Sequence, residues 1–127
     1  YTLFDKTNGF NDPNEFVLAM AKDRQGQYWF GAHHLTRYDP DRKTATYYTR
    51  DNGKFPGRGV WAMTVDNRQR LWVGASRGGL QLYDPARDRF RNVLPDTAMN
   101  NIMLVGQYDK DHLLFGDMKN IYIMDLN

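Results

Sequence analysis

From Val60 to Val93 the chain alternates short apolar-rich runs with polar breaks. The runs are "VWAMTVD" (60–66), "RLWVGA" (70–75), "LQLYD" (80–84) and "RFRNV" (89–93), divided by "DNRQ", "RGG" and "PARD". Runs of about five or six residues, rich in β-branched and aromatic side chains and bounded by Asp, Asn, Gly and Pro, predict strands joined by tight turns. Only "NEFVLAMAKD" (14–23) tempts a helical reading. It aligns with "RGVWAMTVDN", so a strand is predicted there too.

The four-strand pattern is written more than once. Asp23, Trp29 and Gly31 recur 43 positions on as Asp66, Trp72 and Gly74. Tyr38, Asp39 and Pro40 recur 45 positions on as Tyr83, Asp84 and Pro85. A degraded third copy follows, with "LLFGD" standing where "RLWVGA" stood and "IYIMD" where "LQLYD" stood. At the front, "YTLFDKTNGF" resembles "TYYTRDNGKF", the tail of the first full unit. A repeated four-stranded antiparallel unit of about 40–45 residues predicts propeller blades. One such sheet cannot bury both faces alone and must stack on a neighbour. The expectation is therefore an all-β, β-propeller fragment of about three blades. Residues 1–15 would be the outer strand and connection of a preceding blade, 16–50 the first blade, 59–94 the second and 101–127 an incomplete third. In this reading Trp29 and Trp72 fill the space between blades. Gly31 and Gly74 mark close backbone approach or a bulge, and Asp23 and Asp66 cap the turns before the tryptophans.

The stretches "AKDRQGQYWFGAHHLTRYDP" and "TVDNRQRLWVGASRGGLQLYDP" resemble the two-component regulator propeller repeat. That pattern is, in essence, apolar-x-x-Asp-x-x-Gly-x-apolar-Trp-apolar-Gly-Thr, then a gap, then Gly-apolar-x-x-Tyr. The chain departs from it at Gln69, where the pattern has the turn glycine, at Ala32 and Ala75 in place of Thr, and at Leu114 in place of the third tryptophan. The resemblance implies a sensor: an extracytoplasmic, periplasmic part of a bacterial inner-membrane receptor. Its output domain would be a histidine kinase, a hybrid kinase-regulator or a diguanylate cyclase, and a membrane would be reached only through other parts of the parent receptor.

Propellers use 4–8 blades, and three cannot close a ring. Further blades would complete it, or a second copy of this chain would. In the second arrangement Tyr1–Phe4 of one copy adds the missing strand to the last blade of the other, giving a six-bladed homodimer.

Composition narrows the chemistry. The chain has 127 residues and begins with Tyr1, which suggests a processed or partial piece. Its net charge is +2, with Lys and Arg interspersed among Asp, too mild to argue for nucleic acid. There is no cysteine, so thiolate catalysis, disulfides and Cys-zinc sites are excluded. His33 and His34 are adjacent and would point to opposite faces of an extended segment, so no metal site is expected. Glu15 is the single glutamate and Ser76 the single serine, without a nucleophile-elbow pattern around it. No catalytic residue and no cofactor are therefore assigned.

Blade topology gathers the strand two-to-three turns and the blade-to-blade connections on one face. That face is expected to carry His33, Arg58, Trp61, Arg77, Asn101 and Lys119 as ligand-binding residues, with a glycan or other small molecule as ligand. Arg and Trp are over-represented at recognition hot spots, and Trp61 could stack on a sugar ring. The leading function is a non-catalytic sensing module. The alternatives are a fragment of a propeller lyase or glycosidase, and a protein–protein assembly platform.

Overall fold

The computed structural model describes Thr7, residues 17–94 and residues 99–127. The strand predicted at 1–15 and the contact predicted for Tyr1–Phe4 lie outside the described residues, Thr7 apart. The first sheet contains β1 (Ala19–Lys22), β2 (Tyr28–Gly31), β3 (Leu35–Asp39) and β4 (Thr44–Tyr48). The second contains β5 (Gly59–Val65), β6 (Leu71–Ser76), β7 (Gly79–Asp84) and β8 (Arg89–Asn92). The third contains β9 (Leu104–Asp109), β10 (His112–Gly116) and β11 (Ile121–Asp125). Each sheet is an antiparallel meander of sequence neighbours, so every connection is short. The segment that tempted a helical reading is strand from Ala19, paired residue for residue with β2.

Period-2 alternation divides each blade between two cores. Leu71, Val73 and Ala75 on β6 join Trp29, Leu35, Tyr48, Phe55 and Phe90 in a core shared with blade one. Trp72, one position out of phase, points the other way and joins Leu80, Ile102, Leu113 and Phe115 in a core shared with blade three. Blade two is thus dry on both sides, which explains why β6 reads as an almost unbroken apolar run.

The cores are graded in side-chain size. Close to the first strands stand Ala19, Ala21, Gly31 and Val60. Towards the outer strands Trp29 meets Tyr48, Tyr83 and Phe90 at ring separations of 5.1, 4.9 and 5.7 Å. Small residues let the inner strands converge and aromatic rings hold the outer strands apart, so each sheet pair makes a wedge. The repeat glycines sit at the thin end. A Cβ on Gly31 would lie 2.5 Å from Val60 Cγ1, and one on Gly74 would lie 2.6 Å from the carbonyl oxygen of Ile102. The second obstacle is backbone, held in place by the Ile102 amide donating to the Ala75 carbonyl at 3.1 Å. Gly74→Ala should therefore destabilise by about 1–3 kcal/mol, the range of overpacking. The urea midpoint should fall at unchanged slope; a neutral result would mean that the blades are not pressed together there.

Each repeat aspartate serves its tryptophan. Asp23 accepts the Trp29 indole N–H at 3.0 Å with one oxygen and the amides of Gln25 and Gln27, both at 3.0 Å, with the other. Asp66 repeats this, taking Trp72 Nε1 at 2.8 Å and the amides of Arg68 and Arg70 at 2.8 and 2.9 Å. The one polar atom of the indole is satisfied by the turn six residues earlier, so the whole ring can leave water without an unpaired donor. Asp66 also takes Arg70 Nε at 2.8 Å. Burial opposes its ionisation, yet hydrogen bonds from Trp72, Arg70 and Arg68 outweigh burial and hold its carboxyl below the usual range.

A second polar group clasps blades one and two at their outer edge. The hydroxyls of Tyr48 and Tyr83 both donate to Asp88 Oδ1 at 2.6 Å, and Lys54 Nζ reaches Oδ2 at 3.2 Å. Arg37 donates to the Tyr83 hydroxyl at 3.1 Å and lies 5.5 Å from the Trp29 ring centroid. Burial and then the bond to Asp88 push the Tyr48 phenol far up. Asp88 itself is held low, because the two hydroxyls and Lys54 outweigh its partial burial.

Candidate functional site

The blade-to-blade connections and the β2–β3, β6–β7 and β10–β11 turns share one face. Backbone bonds weld that face together. The amide of Val60 donates to the Ala32 carbonyl at 2.6 Å, and that of Arg58 to Ser76 at 2.8 Å. The same stitch recurs between blades two and three: Gly78 and Gly79 donate to the Asn100 carbonyl at 2.9 and 3.0 Å, and Asn101 bridges Ser76.

Trp61 is set apart by a break in register. Val60 pairs with Ala75 and Ala62 with Gly74, so Trp61 is the extra residue of a β-bulge. A bulge re-aims its side chain, and here the ring stays 41% exposed although its neighbours in β5 are largely covered. The indole N–H is held by Asn101 Oδ1 at 2.9 Å, across the boundary with blade three.

Beside this ring lies a cavity of about 220 Å³ lined by Leu18, Ala32, His33, Arg58, Gly59, Val60, Trp61 and Ser76. It is smaller than the roughly 300–1,000 Å³ of pockets that engulf a whole small molecule. It suits one ring or one end of a ligand whose remainder lies on the surface. Its polar equipment is an imidazole, a guanidinium and a hydroxyl, and its lining contains no carboxylate.

Of the six residues singled out from sequence, the structure brings His33, Arg58 and Trp61 around this cavity and uses Asn101 to hold Trp61. Arg77 is exposed in the β6–β7 turn at φ 53°, next to Ser76 but outside the lining. Lys119 is exposed in the β10–β11 turn, with its amide on Asp117 Oδ1 at 2.7 Å, and takes no part in the cavity. Leu18 and Ser76 were not anticipated. The repeat gives a signal for Ser76, because it ends the strand whose counterpart ends at Gly31 beside Ala32. No signal marks Leu18.

Most of the carboxylates lie elsewhere, Asp51 and Asp117 being on this face but outside the cavity lining. Asp23, Asp39, Asp66, Asp84 and Asp88 belong to turns at the opposite ends of the blades. His112 also lies at that end, 2.7 Å from Asp109, whose carboxylate raises the imidazole pKa. Among the described residues, no group of three or more potential metal-ligating side chains forms.

A stack of wedge-forming antiparallel meanders, two of four strands and one of three, defines a segment of a β-propeller. The family model described as "Two component regulator propeller" matches residues 11–34, which include the whole of β1 and β2. Solved structures share the fold. The extracellular domain of BT3049 from B. thetaiotaomicron, assigned as a hybrid two component system, is 21% identical with a TM-score of 0.77, over 98% of this chain and 16% of its own. That of BT4673 from the same organism, assigned as a one component system, is 20% identical with a TM-score of 0.78, over 95% of this chain and 18% of its own. PorZ of Porphyromonas gingivalis, a surface component of the type-IX secretion system, is 17% identical with a TM-score of 0.65, over 89% of this chain and 18% of its own. The chain thus spans about a sixth of the length of these proteins. No curated protein matches it.

Proposed function

We propose that this chain is part of a non-catalytic sensing propeller in the periplasmic region of a bacterial signal-transduction receptor. The observation that carries the reading is the cavity beside Trp61. An exposed indole, aimed by a bulge and braced by Asn101, meets His33 and Arg58 where blades one and two join. An aromatic face with a few convergent polar groups suits a carbohydrate ring. Because the lining draws on both blades, a ligand there responds to how they are packed. It can shift the association of two receptor chains only by binding one arrangement more tightly than the other.

The repeat family and the extracellular location of the similar domains support this assignment. The lining carries no carboxylate among the described residues, which favours sensing over a glycosidase, whose chemistry calls for paired acids. Ring closure is assigned to further blades or to a second copy of the chain. The outward face of blade three leaves Leu104, Ile121 and Ile123 exposed at 46, 69 and 53%, an apolar surface suited to another sheet.

A carbohydrate panel read by thermal shift on the full chain tests the proposal. At least one sugar should raise the melting temperature, and Trp61→Ala should abolish the rise. If no carbohydrate shifts the midpoint while a protein partner does, sensing of sugars fails and the assembly-platform reading takes its place.

A further inference from the structure

We propose that the outer edge of blade two is a second binding site, selective for oxyanions, formed around Arg89 and Arg91. A cavity of about 360 Å³ opens there, lined by Arg87, Arg89 and Arg91 with Phe90, Asn92 and Asp84, and walled by Gly53 and Pro56 of the β4–β5 connection. It lies on the outermost strand, whereas the cavity beside Trp61 adjoins the innermost, and this proposal does not depend on the function assigned to that cavity.

The repeat provides an internal control for what the fold itself requires. Arg87 pairs with Asp84 at 3.0 Å, as Arg42 pairs with Asp39 at 3.9 Å in blade one. That pair belongs to the turn. Arg89 and Arg91 do not belong to the repeat: β8 pairs with β7 as β4 pairs with β3, and the corresponding residues of blade one are Thr44 and Thr46. The same backbone therefore folds with two neutral side chains at these positions. Among the described residues, neither Arg89 nor Arg91 forms an ion pair.

Alternate residues of one strand project to the same side about 6.6 Å apart. Arg89 and Arg91 therefore leave the same side of the strand, both exposed, in the lining of one cavity. Guanidinium is planar, permanently charged and matched to two oxygens of a carboxylate, sulfate or phosphate. An oxyanion seated between the two would take paired hydrogen bonds from each. The shared ligand chemistry is the oxyanion, carried either by a free ion or by acidic groups along a carbohydrate chain.

Isothermal titration of the full chain with dextran sulfate, neutral dextran and inorganic sulfate, at about 0.15 M salt, tests this. Wild type should bind dextran sulfate and ignore neutral dextran. The R89T/R91T variant copies blade one and so keeps a side-chain pair this fold already carries. It should bind at least about tenfold more weakly, the loss of one to two charge-assisted contacts. The R24T/K110T variant removes the same charge from exposed turns elsewhere and should bind like wild type. Inorganic sulfate that displaces the polymer would identify a free ion as a sufficient ligand; failure to displace it would assign the site to chain-borne groups. The proposal is overturned if wild type binds no sulfated probe, or if R24T/K110T loses as much affinity as R89T/R91T.

Discussion

Trp29→Ala is expected to cost about 3–5 kcal/mol, the range for deleting a large buried aromatic side chain. Trp29 is 1% exposed and touches three rings of the outer wedge: Tyr48 in its own blade, and Tyr83 and Phe90 in blade two. Removing it deletes the spacer that holds the outer strands apart, so the loss falls on blade-to-blade packing as well as on burial. It also leaves Asp23 without its indole partner. Trp29→Phe keeps most of the packing and loses that bond, so its cost should fall well below that of alanine. Trp61→Ala supplies the contrast, because a half-exposed ring away from both cores should cost about 1 kcal/mol or less. Urea unfolding of the three variants measures the order. A Trp29→Ala cost no greater than that of Trp61→Ala would contradict the wedge.

Asp66→Asn should cost on the order of 3 kcal/mol, although it changes almost no volume. The carboxylate side chain is fully buried, and all of its partners are donors: Trp72 Nε1, two amides and Arg70 Nε. An amide must turn its own N–H₂ towards one of them. That leaves a donor facing a donor and a guanidinium without its counter-charge. The effect should also depend on pH with a defined sign. The folded-state pKa of Asp66 lies below its unfolded value of about 3.9. The unfolded chain therefore binds the proton first on acidification. The stabilisation is complete above the unfolded pKa and fades as pH falls through that value and then through the folded one. The stability gap between wild type and Asp66→Asn should be constant near neutrality and narrow progressively as the pH falls below about 5. A gap that persists at the acid end would show that the charge of Asp66 is not what the variant loses.

Both predictions rest on residues that the repeat had already marked. Spacing alone placed Asp23, Trp29 and Gly31 in register with Asp66, Trp72 and Gly74, because a stacked blade must solve the same three problems each time: end a turn, fill a wedge and admit the next backbone. The bond from each aspartate to its tryptophan was not legible, since nothing in spacing says that the indole N–H folds back to the turn. The clasp at Asp88 was equally hidden. Tyr48 and Asp88 stand 40 residues apart in sequence and meet only when two blades are pressed together.

The candidate site divides in the same way. Topology placed His33, Arg58, Trp61, Arg77, Asn101 and Lys119 on one face, because an antiparallel meander sends alternate connections to the same end. Which of them surround one space depended on the bulge at Trp61 and on the stitching of Ala32 to Val60, and these separated His33, Arg58 and Trp61 from Arg77 and Lys119.

From the order of its residues alone, the chain determines strand and turn, the repeat, and the need for each sheet to find a neighbour. These follow from local period and turn chemistry, which act over a few residues. Which side of each blade faces which core, where polar groups clasp across blades, and which loop residues share a cavity were decided only by the tertiary structure. Those features arise where segments about 40 residues apart come into contact, and no local preference encodes the distance between them.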